Sequence, residues 1–541
     1  MRYNYSQSDK SNLDWFEKDT SKRTLIRMKI ERGVFGFKNK IVQAKEGRGS
    51  FRGLNDIEIH FKYPITVISG KNGTGKSTLL ACAACAFHNL KYTGFRPYLR
   101  RQTYYTMSDF FVRSIGESSP TGSSVAYQIL HDSWRKSKIT PTGVGLNWQY
   151  RIKSYWGGKW NRNSSRIYRD VVYLGIERIV PHSEKSISKS YRSKFRKAGE
   201  EGYEKNVKET VGRIIGKPYE EFFYLKHSKY RLPLVKSCGQ TYSGLNMGAG
   251  EKALFEIFSV VYACKKSLLL VIDEIELGLH EEAQIRLIEE LKKICDERHV
   301  QIICTSHSPR VLNSLPPEAR LHLEKEAGAV RIIPEISADY AAGLMSGVKH
   351  TELDIICEDG RAKNLLTLAL PNEIRQRIEI LPIGSAAAVV QYMAFRFKDK
   401  SSREACCFLD GDQAASFQKH INSFIKGLEQ VKDKDEAKQW IQKRLNFLPG
   451  TTSPEKWVVS TRSSGAFKKL ADEFRVTTNS LNEYLDAANL ADGHDVFYEL
   501  ATRLNQDVSI IEARLIQCAL EKSEDEVRRI VEFVRAFLAH A

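Results

Sequence analysis

A glycine-rich stretch near the start of the chain reads Gly70-Lys71-Asn72-Gly73-Thr74-Gly75-Lys76-Ser77 and is followed by Thr78. It fits the pattern G-x-x-x-x-G-K-[ST], in which glycines let successive backbone N–H groups face a phosphate. The apolar run before it predicts a buried strand, and the Ala- and Leu-rich run after it predicts a helix, whose N-terminus adds its positive end. We expect residues 70–78 to bind a nucleotide, with Lys76 on the β- and γ-phosphates and the Ser77 hydroxyl on Mg²⁺.

The composition is that of a globular protein with a strongly basic charge balance. The 541 residues are 42% hydrophobic and 27% charged, and the net charge is +18. This length predicts two or three domains, and the charge favours a polyanionic partner such as nucleic acid. There is no run of about 18 apolar residues, so we expect no membrane span. Residues 1–25 lack a secretory signal, and the ten scattered cysteines predict free thiols in a cytoplasmic protein.

A second group of motifs follows between residues 243 and 309. Glycines in residues 243–251 precede a predicted helix, and an apolar strand ends in Asp273 and Glu274. Because ligands of α/β folds lie at the carboxyl ends of strands, we expect Asp273 to hold Mg²⁺, mostly through water. Glu274 would orient or deprotonate an attacking water, and His307, after a further strand, would hydrogen-bond the γ-phosphate. Alone, an Asp-Glu pair is a common acidic turn and a histidine is usually structural; the order of the elements favours the catalytic roles.

Together these motifs resemble those of ATP-binding-cassette (ABC) ATPases. The segments similar to the Walker A, signature, Walker B, D-loop and H-switch motifs are residues 70–77, 247–251, 268–274 and 278–280 and His307. The ending Thr-Ser-His-Ser-Pro looks like the soluble branch that includes the OLD (overcoming lysogenization defect) nucleases. The same branch includes the PtuA ATPases of Septu and retron antiphage systems.

The resemblance implies that two ATPase heads dimerise around ATP. In the family the signature of one subunit covers ATP bound to the other, a role that Gly248, Ala249 and Gly250 would have here. Gly248 stands where the family usually has a serine, which makes the catalytic rate less certain than nucleotide binding. No glutamine is assigned to the Q-loop, for which residues 173–178 are the candidate segment.

Residues of about 92–235 are predicted to interrupt the nucleotide-binding fold as a basic insertion. Cations alternate with aromatics there, as in residues 148–162, which include Trp148, Tyr150 and Arg151. Two interpretations stay open. The mixture suits phosphate contacts combined with base stacking, or the aromatics form a small core of their own and the cations a solvated face.

From about residue 351 a β-α-β-α-β pattern begins again, with acidic residues after the predicted strands. These residues are Glu358 and Asp410-Gly411-Asp412. The pattern resembles the Toprim fold, whose Glu and D-x-D residues bind Mg²⁺ for phosphodiester chemistry, so Glu358, Asp410 and Asp412 are the candidate metal ligands. Active OLD enzymes carry a further acid shortly after the first glutamate, where this chain has residues 361–363, Arg-Ala-Lys. An active and a purely structural Toprim-like domain both stay open, and D-G-D alone is also a common turn.

The expected fold is α/β in three parts. An ABC-type ATPase head with the basic insertion spans residues 1–349, a Toprim-like α/β domain spans 350–465, and a helical region spans 466–541. The resemblance implies a PtuA-like ATPase of a prokaryotic antiphage system that uses ATP and Mg²⁺ and forms a homodimer or a higher oligomer. It would control an HNH-type nuclease and, in retrons, a reverse transcriptase with its RNA–DNA product.

Two other functions stay open. The first is an OLD-like Mg-dependent nuclease that cleaves nucleic acid with its own Toprim domain. The second is an ABC-type DNA-repair or chromosome protein, against which the lack of a sustained heptad pattern counts.

Overall fold

The computed structural model describes residues 3–32, 34–35, 41–42, 51–54, 56–88, 104–112, 114, 117, 120–153, 160, 166–182, 184, 190–228, 230–264, 267–326, 329–346, 351–399, 403–428, 433–461, 464–490 and 495–538. By its internal contacts the chain divides into two compact units, an N-terminal unit of Asn4–Val348 and a C-terminal unit of Lys349–Ala541 together with Met1–Tyr3. Both units contain helices and strands, so the predicted α/β class is confirmed, as is the helical C-terminus. The three-part domain division stays a prediction.

The N-terminal unit contains sixteen strands among its described residues. They are β1 (Thr24–Arg32), β2 (Val34–Phe35), β3 (Ile41–Val42), β4 (Ile57–His60), β5 (Ile65–Gly70), β6 (Ser123–His131), β7 (Gly145–Ile152), β8 (Asp170–Leu174), β9 (Arg196–Lys197), β10 (Glu221–His227), β11 (Tyr230–Ser237), β12 (Gln240–Ser243), β13 (Leu268–Ile272), β14 (Gln301–Thr305), β15 (Arg320–Glu326) and β16 (Ala329–Pro334). Its helices are Gln7–Phe16, Lys76–Ala84, Met107–Phe110, Glu204–Ile215, Ala249–Ala263, Glu281–Arg298, Pro309–Asn313 and Ala338–Ser346, with 3₁₀ turns at Thr20–Lys22, Ile176–Ile179 and Pro317–Ala319.

A six-stranded sheet forms the centre of this unit, in the order β16-β15-β5-β14-β13-β8. Its strands pair in parallel except for the antiparallel β15–β16 pair. Strand β13 shows why the sheet needs helices on both faces, because alternate residues enter different cores. Leu268 and Leu270 pack with the helix Ala249–Ala263, whereas Leu269 packs with the helix Lys76–Ala84. Strands buried on both faces read as continuous apolar runs, which is the pattern of β13 in the sequence.

Two antiparallel sheets flank the centre, with the orders β4-β1-β6-β7 and β12-β11-β10-β9. The prediction that residues 92–235 interrupt the nucleotide-binding fold is wrong for β8 and stays a prediction for the rest of that segment. Strand β8 completes the central sheet by pairing in parallel with β13, and β6 pairs with β1 along its length. The physical reason is backbone pairing with strands distant in the chain, which the local mixture of cations and aromatics does not reveal. Other residues of the predicted insertion, including 89–103, 154–159 and 161–165, lie outside the described residues.

One cation of β7, Arg151, is part of the protein interior. Arg151 is fully buried, and its Nη2 donates to the carbonyl oxygen of Ala86 at 3.1 Å. Its guanidinium lies 5.5 Å from the ring centre of Tyr127. The half-buried Trp148 instead lies under the Lys29 ammonium, 5.4 Å from its ring centre. Arg151 is therefore a buried cation that fits neither interpretation, and nucleic-acid binding by this region stays a prediction.

The C-terminal unit contains a four-stranded parallel sheet. Its strands are β17 (Leu353–Cys357), β18 (Ile378–Pro382), β19 (Glu404–Leu409) and β20 (Leu445–Phe447), in the order β18-β17-β19-β20. Its helices are Gly360–Ala369, Asn372–Arg375, Ala386–Lys398, Phe417–Gly427, Lys434–Gln442, Pro454–Ser460, Ser464–Glu473, Thr478–Asn489, Val496–Leu504, Val508–Lys522 and Glu524–Leu538, with a 3₁₀ turn at Gly411–Ser416.

The last helices of the chain pack on this sheet. Ile530 and Val534 of the final helix are fully buried in one core with Leu353 of β17 and Phe408 of β19. The buried residues of the final helix thus belong to the core of its own unit. No helix among the described residues is long and apolar enough to cross a membrane.

Candidate nucleotide-binding site

The loop between β5 and the helix Lys76–Ala84 has a backbone that favours glycine. Gly70, Gly73 and Gly75 have φ angles of 142°, 80° and 97°, which glycine adopts without steric cost. At Gly70 a Cβ atom would lie 2.4 Å from the carbonyl oxygen of Leu323 in β15. The helix begins after Gly75 without a hydrogen bond from an N-cap side chain, so its first amides have no intrahelical or capping partner. This cradle of glycines and amides fits a phosphate group.

The Lys76 ammonium lies against the same loop. Its Nζ donates to the carbonyl oxygens of Gly70 at 2.7 Å and Lys71 at 3.0 Å. The side chain is only 8% exposed, and this burial lowers the pKa of Lys76. Three carboxylates after β13 oppose the decrease in that pKa: Asp273, Glu274 and Glu276. The structure therefore brings the predicted phosphate loop and the predicted metal and water ligands into one site.

Other predicted residues of the loop differ in exposure. Lys71, Asn72 and Ser77 are exposed, whereas Thr74 and Thr78 are buried. Thr74 Oγ1 donates to the Lys71 carbonyl oxygen at 2.9 Å, which closes the loop internally. The exposed Ser77 hydroxyl, in the first turn of the helix, is accessible to a metal ion.

Asp273 and Glu274 directly follow β13, and both are held by Thr305 at the end of β14. Thr305 Oγ1 donates to Asp273 Oδ1 at 2.6 Å and accepts a hydrogen bond from the Glu274 backbone N–H at 2.7 Å. Thr305 pairs with Ile68 of β5, so it links the strand before the phosphate loop to the two carboxylates. Glu274 has a φ of 48°, a left-handed conformation that a non-glycine residue keeps only when its surroundings fix it.

Arg178, to which no sequence motif assigned a role, makes two further contacts to this turn. Its Nη1 donates to the carbonyl oxygen of Asp273 at 2.5 Å, and its Nη2 donates to that of Glu274. The residue is only 3% exposed, and burial lowers the pKa of Arg178 although neighbouring carboxylates oppose the change. Arg178 lies in the segment considered for the Q-loop, and a single cation in that segment was the only available signal.

Glu276, which no predicted motif includes, joins the turn after β13 to the turn after β14. Its Oε1 accepts a hydrogen bond from the His307 backbone N–H at 2.6 Å. Its Oε2 is buried and has no hydrogen-bond partner among the described residues. The structure thus places His307 beside the Walker B turn, and a bond from its ring to a γ-phosphate stays a prediction.

The predicted signature residues Gly248, Ala249 and Gly250 begin the helix Ala249–Ala263. Gly248 is its exposed N-cap, with no atom within 4 Å of the position of a Cβ. Gly250 instead packs on the D-loop, where a Cβ would lie 2.1 Å from the carbonyl oxygen of Gly278. The helix N-terminus carries no side-chain cap, which leaves amides for an anion. The structure therefore fits the predicted role of this segment but leaves the covering of a second subunit's ATP as a prediction.

The predicted Toprim carboxylates follow β17 and β19 in the C-terminal unit. Glu358 Oε1 accepts a hydrogen bond from the Asp410 backbone N–H at 2.8 Å, and Asp412 is exposed. Burial, reinforced by Glu358 and other neighbouring carboxylates, raises the pKa of Asp410 to about 8. Burial likewise raises the pKa of Glu358. In the described part of the chain no group of three or more His, Cys, Asp or Glu residues is arranged to hold a metal ion, and Mg²⁺ binding by Glu358, Asp410 and Asp412 stays a prediction.

Residues 239–313 match the protein family described as "AAA domain, putative AbiEii toxin, Type IV TA system". The matched segment runs from the start of β12 to the end of the helix Pro309–Asn313, and it includes the signature, Asp273, Glu274 and His307. No curated relative matches the chain.

The fold overlaps those of several solved structures at low identity. An SMC head domain from Thermotoga maritima has 14% identity over 57% of this chain and 98% of its own, with a TM-score of 0.31. An Smc head domain with an extended coiled coil, bound to the C-terminal domain of ScpA and derived from Pyrococcus furiosus, has 13% identity over 60% and 99%, with a TM-score of 0.36. The C-terminal region of the Xanthomonas campestris pv. campestris OLD protein has 14% identity over 35% and 94%, with a TM-score of 0.23. Overlaps this low carry no argument about function.

The class of the N-terminal unit follows from the family match and the geometry together. A phosphate-binding loop precedes a helix, and the buried Lys76 lies on that loop. Two carboxylates at the end of a parallel strand, Asp273 and Glu274, influence the pKa of Lys76. The family match covers the carboxylate half of this arrangement. The N-terminal unit is therefore an ATPase-type nucleotide-binding domain.

Proposed function

We propose that this protein is the ATP-binding and ATP-hydrolysing component of a PtuA-like prokaryotic antiphage system. In this proposal two copies of the chain bind ATP between them and control a partner HNH-type nuclease. In a retron setting the partners would include a reverse transcriptase with its RNA–DNA product.

The observation that carries the ATPase part is the shared environment of Lys76 and the carboxylates after β13. A buried ammonium on a glycine loop and a carboxylate pair at a strand end are the groups that phosphoryl transfer requires. Lys76 would bind the β- and γ-phosphates, and Ser77 with Asp273 would hold Mg²⁺, which usually keeps several waters. Bound Mg²⁺ would neutralise charge that develops on the phosphates.

Glu274 has the geometry of a residue that positions water. Thr305 binds its backbone N–H and Arg178 binds its carbonyl oxygen, so the backbone position from which its carboxylate extends is fixed. A carboxylate fixed in this way can orient a water molecule or accept its proton. His307, whose backbone is bound to Glu276, would donate to the γ-phosphate from the neighbouring turn.

Two observations support a role with partners. The description of the matched family includes the words "putative AbiEii toxin, Type IV TA system", and a toxin–antitoxin system has more than one component. The exposed, uncapped N-terminus at Gly248 suits an anion brought by a second copy of the chain. The longest helix among the described residues, Glu281–Arg298, has 18 residues, so the described residues form no long arm of the chromosome-protein kind.

The ATPase proposal is tested with two variants. Lys76→Ala removes the ammonium of the loop and should weaken ATP binding by about 10- to 100-fold, the effect of losing charged hydrogen bonds. Glu274→Gln should keep the binding constant for ATP and lower the rate of hydrolysis by at least about 100-fold. Lys18→Ala, at an exposed lysine of the same unit, is the control for loss of a positive charge. Parental hydrolysis by Glu274→Gln would show that the assigned role is wrong.

The dimer and the defence role need separate experiments. Glu274→Gln with ATP should double the mass in solution relative to the same variant without nucleotide, measured by light scattering. Cells that express the chain with its genomic neighbours should resist phage, and Lys76→Ala should abolish the resistance in a plaque assay. A monomer under all nucleotide conditions would contradict the proposed mechanism, and resistance unaffected by Lys76→Ala would contradict the need for ATP.

A second candidate function is cleavage of nucleic acid by the C-terminal unit. The observation that favours it is Asp410, whose buried Oδ1 has no hydrogen-bond partner among the described residues and whose pKa is raised. The test is incubation of the purified chain alone with plasmid DNA and Mg²⁺. Cleavage that Asp410→Asn abolishes would favour this candidate over a separate partner nuclease, whereas intact plasmid would contradict it.

A further inference from the structure

Three contacts fix the turn at Glu274 from outside its own strand. Thr305 holds the backbone N–H of Glu274, and Arg178 holds its carbonyl oxygen. Arg178 also binds the preceding carbonyl, that of Asp273, at 2.5 Å. Glu274 keeps a φ of 48° between these contacts, a strained conformation that persists only where the surrounding structure fixes it.

The segment that carries Arg178 is itself tied to the signature helix. Arg178 lies in the 3₁₀ turn Ile176–Ile179 directly after β8. Val180 follows this turn directly, and its carbonyl oxygen accepts a hydrogen bond from Lys252 Nζ at 2.6 Å. Lys252 lies in the helix Ala249–Ala263 and is only 4% exposed. The same short segment thus contacts the Glu274 turn at one end and the signature helix at the other.

We propose that Arg178 is a positioning residue for Glu274, and that Lys252 makes this positioning depend on the signature helix. The inference rests on the proposed ATPase function and deepens it by naming how the signature regulates hydrolysis. Arg178 acts through the main chain of Glu274 and does not touch the nucleotide. When the signature helix moves, the hydrogen bond from Lys252 displaces Val180. This displacement changes the hydrogen bond between Arg178 and the Glu274 carbonyl oxygen.

The geometry separates hydrolysis from binding. The glycine cradle and Lys76 make their contacts without Arg178, so loss of the guanidinium leaves the binding site for phosphate intact. A displacement of a catalytic group by about 1 Å can lower a rate about 100-fold. Arg178→Gln should therefore lower kcat about 100-fold and leave the dissociation constant of ATP within about threefold of the parent.

A double-mutant cycle with Glu274→Gln distinguishes positioning from general support of the fold. If Arg178 acts through the Glu274 carboxylate, Arg178→Gln has no further effect on kcat once that carboxylate is gone. A residue that only supports the fold would lower the rate, or weaken ATP binding, in both backgrounds. Arg178→Lys, which keeps the charge and can reach one carbonyl, should recover part of kcat at unchanged ATP affinity.

Lys252→Met tests the link to the signature helix, because it keeps most of the unbranched side chain and removes the bond to Val180. We expect a loss of kcat that is also absent in the Glu274→Gln background. Lys252→Met at the parental rate would overturn the link while leaving the assignment of Arg178 in place.

The possible outcomes separate this inference from the function on which it rests. A parent protein without ATPase activity would contradict the proposed function itself. A parent that hydrolyses ATP through Glu274, together with Arg178→Gln at the parental kcat, would overturn only the inference. Failure of both Arg178→Gln and Arg178→Lys to fold, as judged by circular dichroism, would overturn it in favour of a structural role.

Discussion

Substitution of Gly250 by alanine should disturb the contact between the signature helix and the D-loop. A Cβ at this position would lie 2.1 Å from the carbonyl oxygen of Gly278 and 2.7 Å from its carbonyl carbon. Ordinary contact begins at 3.4 Å, so the two segments must separate by about 1.3 Å, the difference between 3.4 and 2.1 Å, in a closely packed interior. Both atoms belong to the main chain, so rotation of a side chain cannot relieve the clash.

Two opposing effects determine the change in stability. Overpacking of this kind costs about 1–3 kcal/mol. Alanine gains up to about 1 kcal/mol over glycine in helix propensity, and less in a first turn. The expected net loss is about 1–2 kcal/mol, which corresponds to a decrease in Tm of a few degrees in a unit of this size.

Thermal unfolding of the full chain measures this change, and Gly248→Ser is the matched control. Position 248 has no atom within 4 Å of a Cβ, and serine is at least as good an N-cap as glycine. The control should therefore unfold at the parental Tm or slightly above it. ATP turnover by Gly250→Ala should also fall, by about tenfold or more, because the signature and the D-loop move apart. A parental Tm and a parental turnover rate for Gly250→Ala would refute the reasoning.

Two further predictions concern buried charge. Asp410→Asn should remove a pH dependence of stability. In the native state the pKa of Asp410 is raised to about 8, whereas in the unfolded chain its carboxyl group loses its proton from about pH 4. Between these two pH values the native state retains the proton that the unfolded chain has released. This contribution to stability is therefore present at low pH and lost as the pH rises towards 8, which urea unfolding at pH 5 and pH 9 measures. Lys292→Met should destabilise the N-terminal unit by about 3 kcal/mol, because it leaves the fully buried Asp9 carboxylate, now 2.9 Å from Lys292 Nζ, without its cation.

Each of these predictions has a control in the same unit. Asp412→Asn alters an exposed carboxyl next to Asp410 and should retain the pH dependence of the parent. If the free energy of unfolding depended on pH equally in Asp410→Asn and in the parent, Asp410 would be ionised in the native state at neutral pH. Lys18→Ala breaks an exposed pair with Asp14 and should change the free energy of unfolding by less than about 0.5 kcal/mol. A loss of that size in Lys292→Met would contradict the importance of the buried pair.

The phosphate loop and the strand before it could be predicted from the sequence because local rules determine both. Gly70, Gly73 and Gly75 stand where the loop needs positive φ angles, and the apolar run of β13 reflects burial on both faces. The acidic pair after β13 could be placed for the same reason, since ligands gather at the carboxyl ends of parallel strands. In these cases pattern and three-dimensional position carry the same information.

The residues that hold the acidic pair could not be predicted, because they act on main-chain atoms far away in the sequence. Arg178 binds carbonyls 95 and 96 residues away, and Thr305 binds a carboxylate 32 residues away. Neither contact leaves a local pattern. The same limit explains the error over residues 92–235. Strand β8 lies within this predicted insertion, yet it pairs with β13 in the central sheet, and nothing in the local sequence of β8 indicates that pairing.

The difference between these two kinds of residue bears on how the site would work. The residues assigned from motifs, such as Lys76 and Asp273, supply charge, which is useful only at the correct distance from a phosphate. The residues found only in the structure, Thr305 and Arg178, supply no group to the reaction but fix the left-handed turn of Glu274 from two neighbouring strands. Because β8 and β14 flank β13 on opposite sides, a change in either neighbour would alter the direction of the Glu274 carboxylate, while the contacts of Lys76 with the phosphate loop involve neither strand. An ATPase built in this way can bind ATP tightly and still hydrolyse it only when the surrounding elements are correctly placed, which is the behaviour that a nucleotide-controlled switch requires.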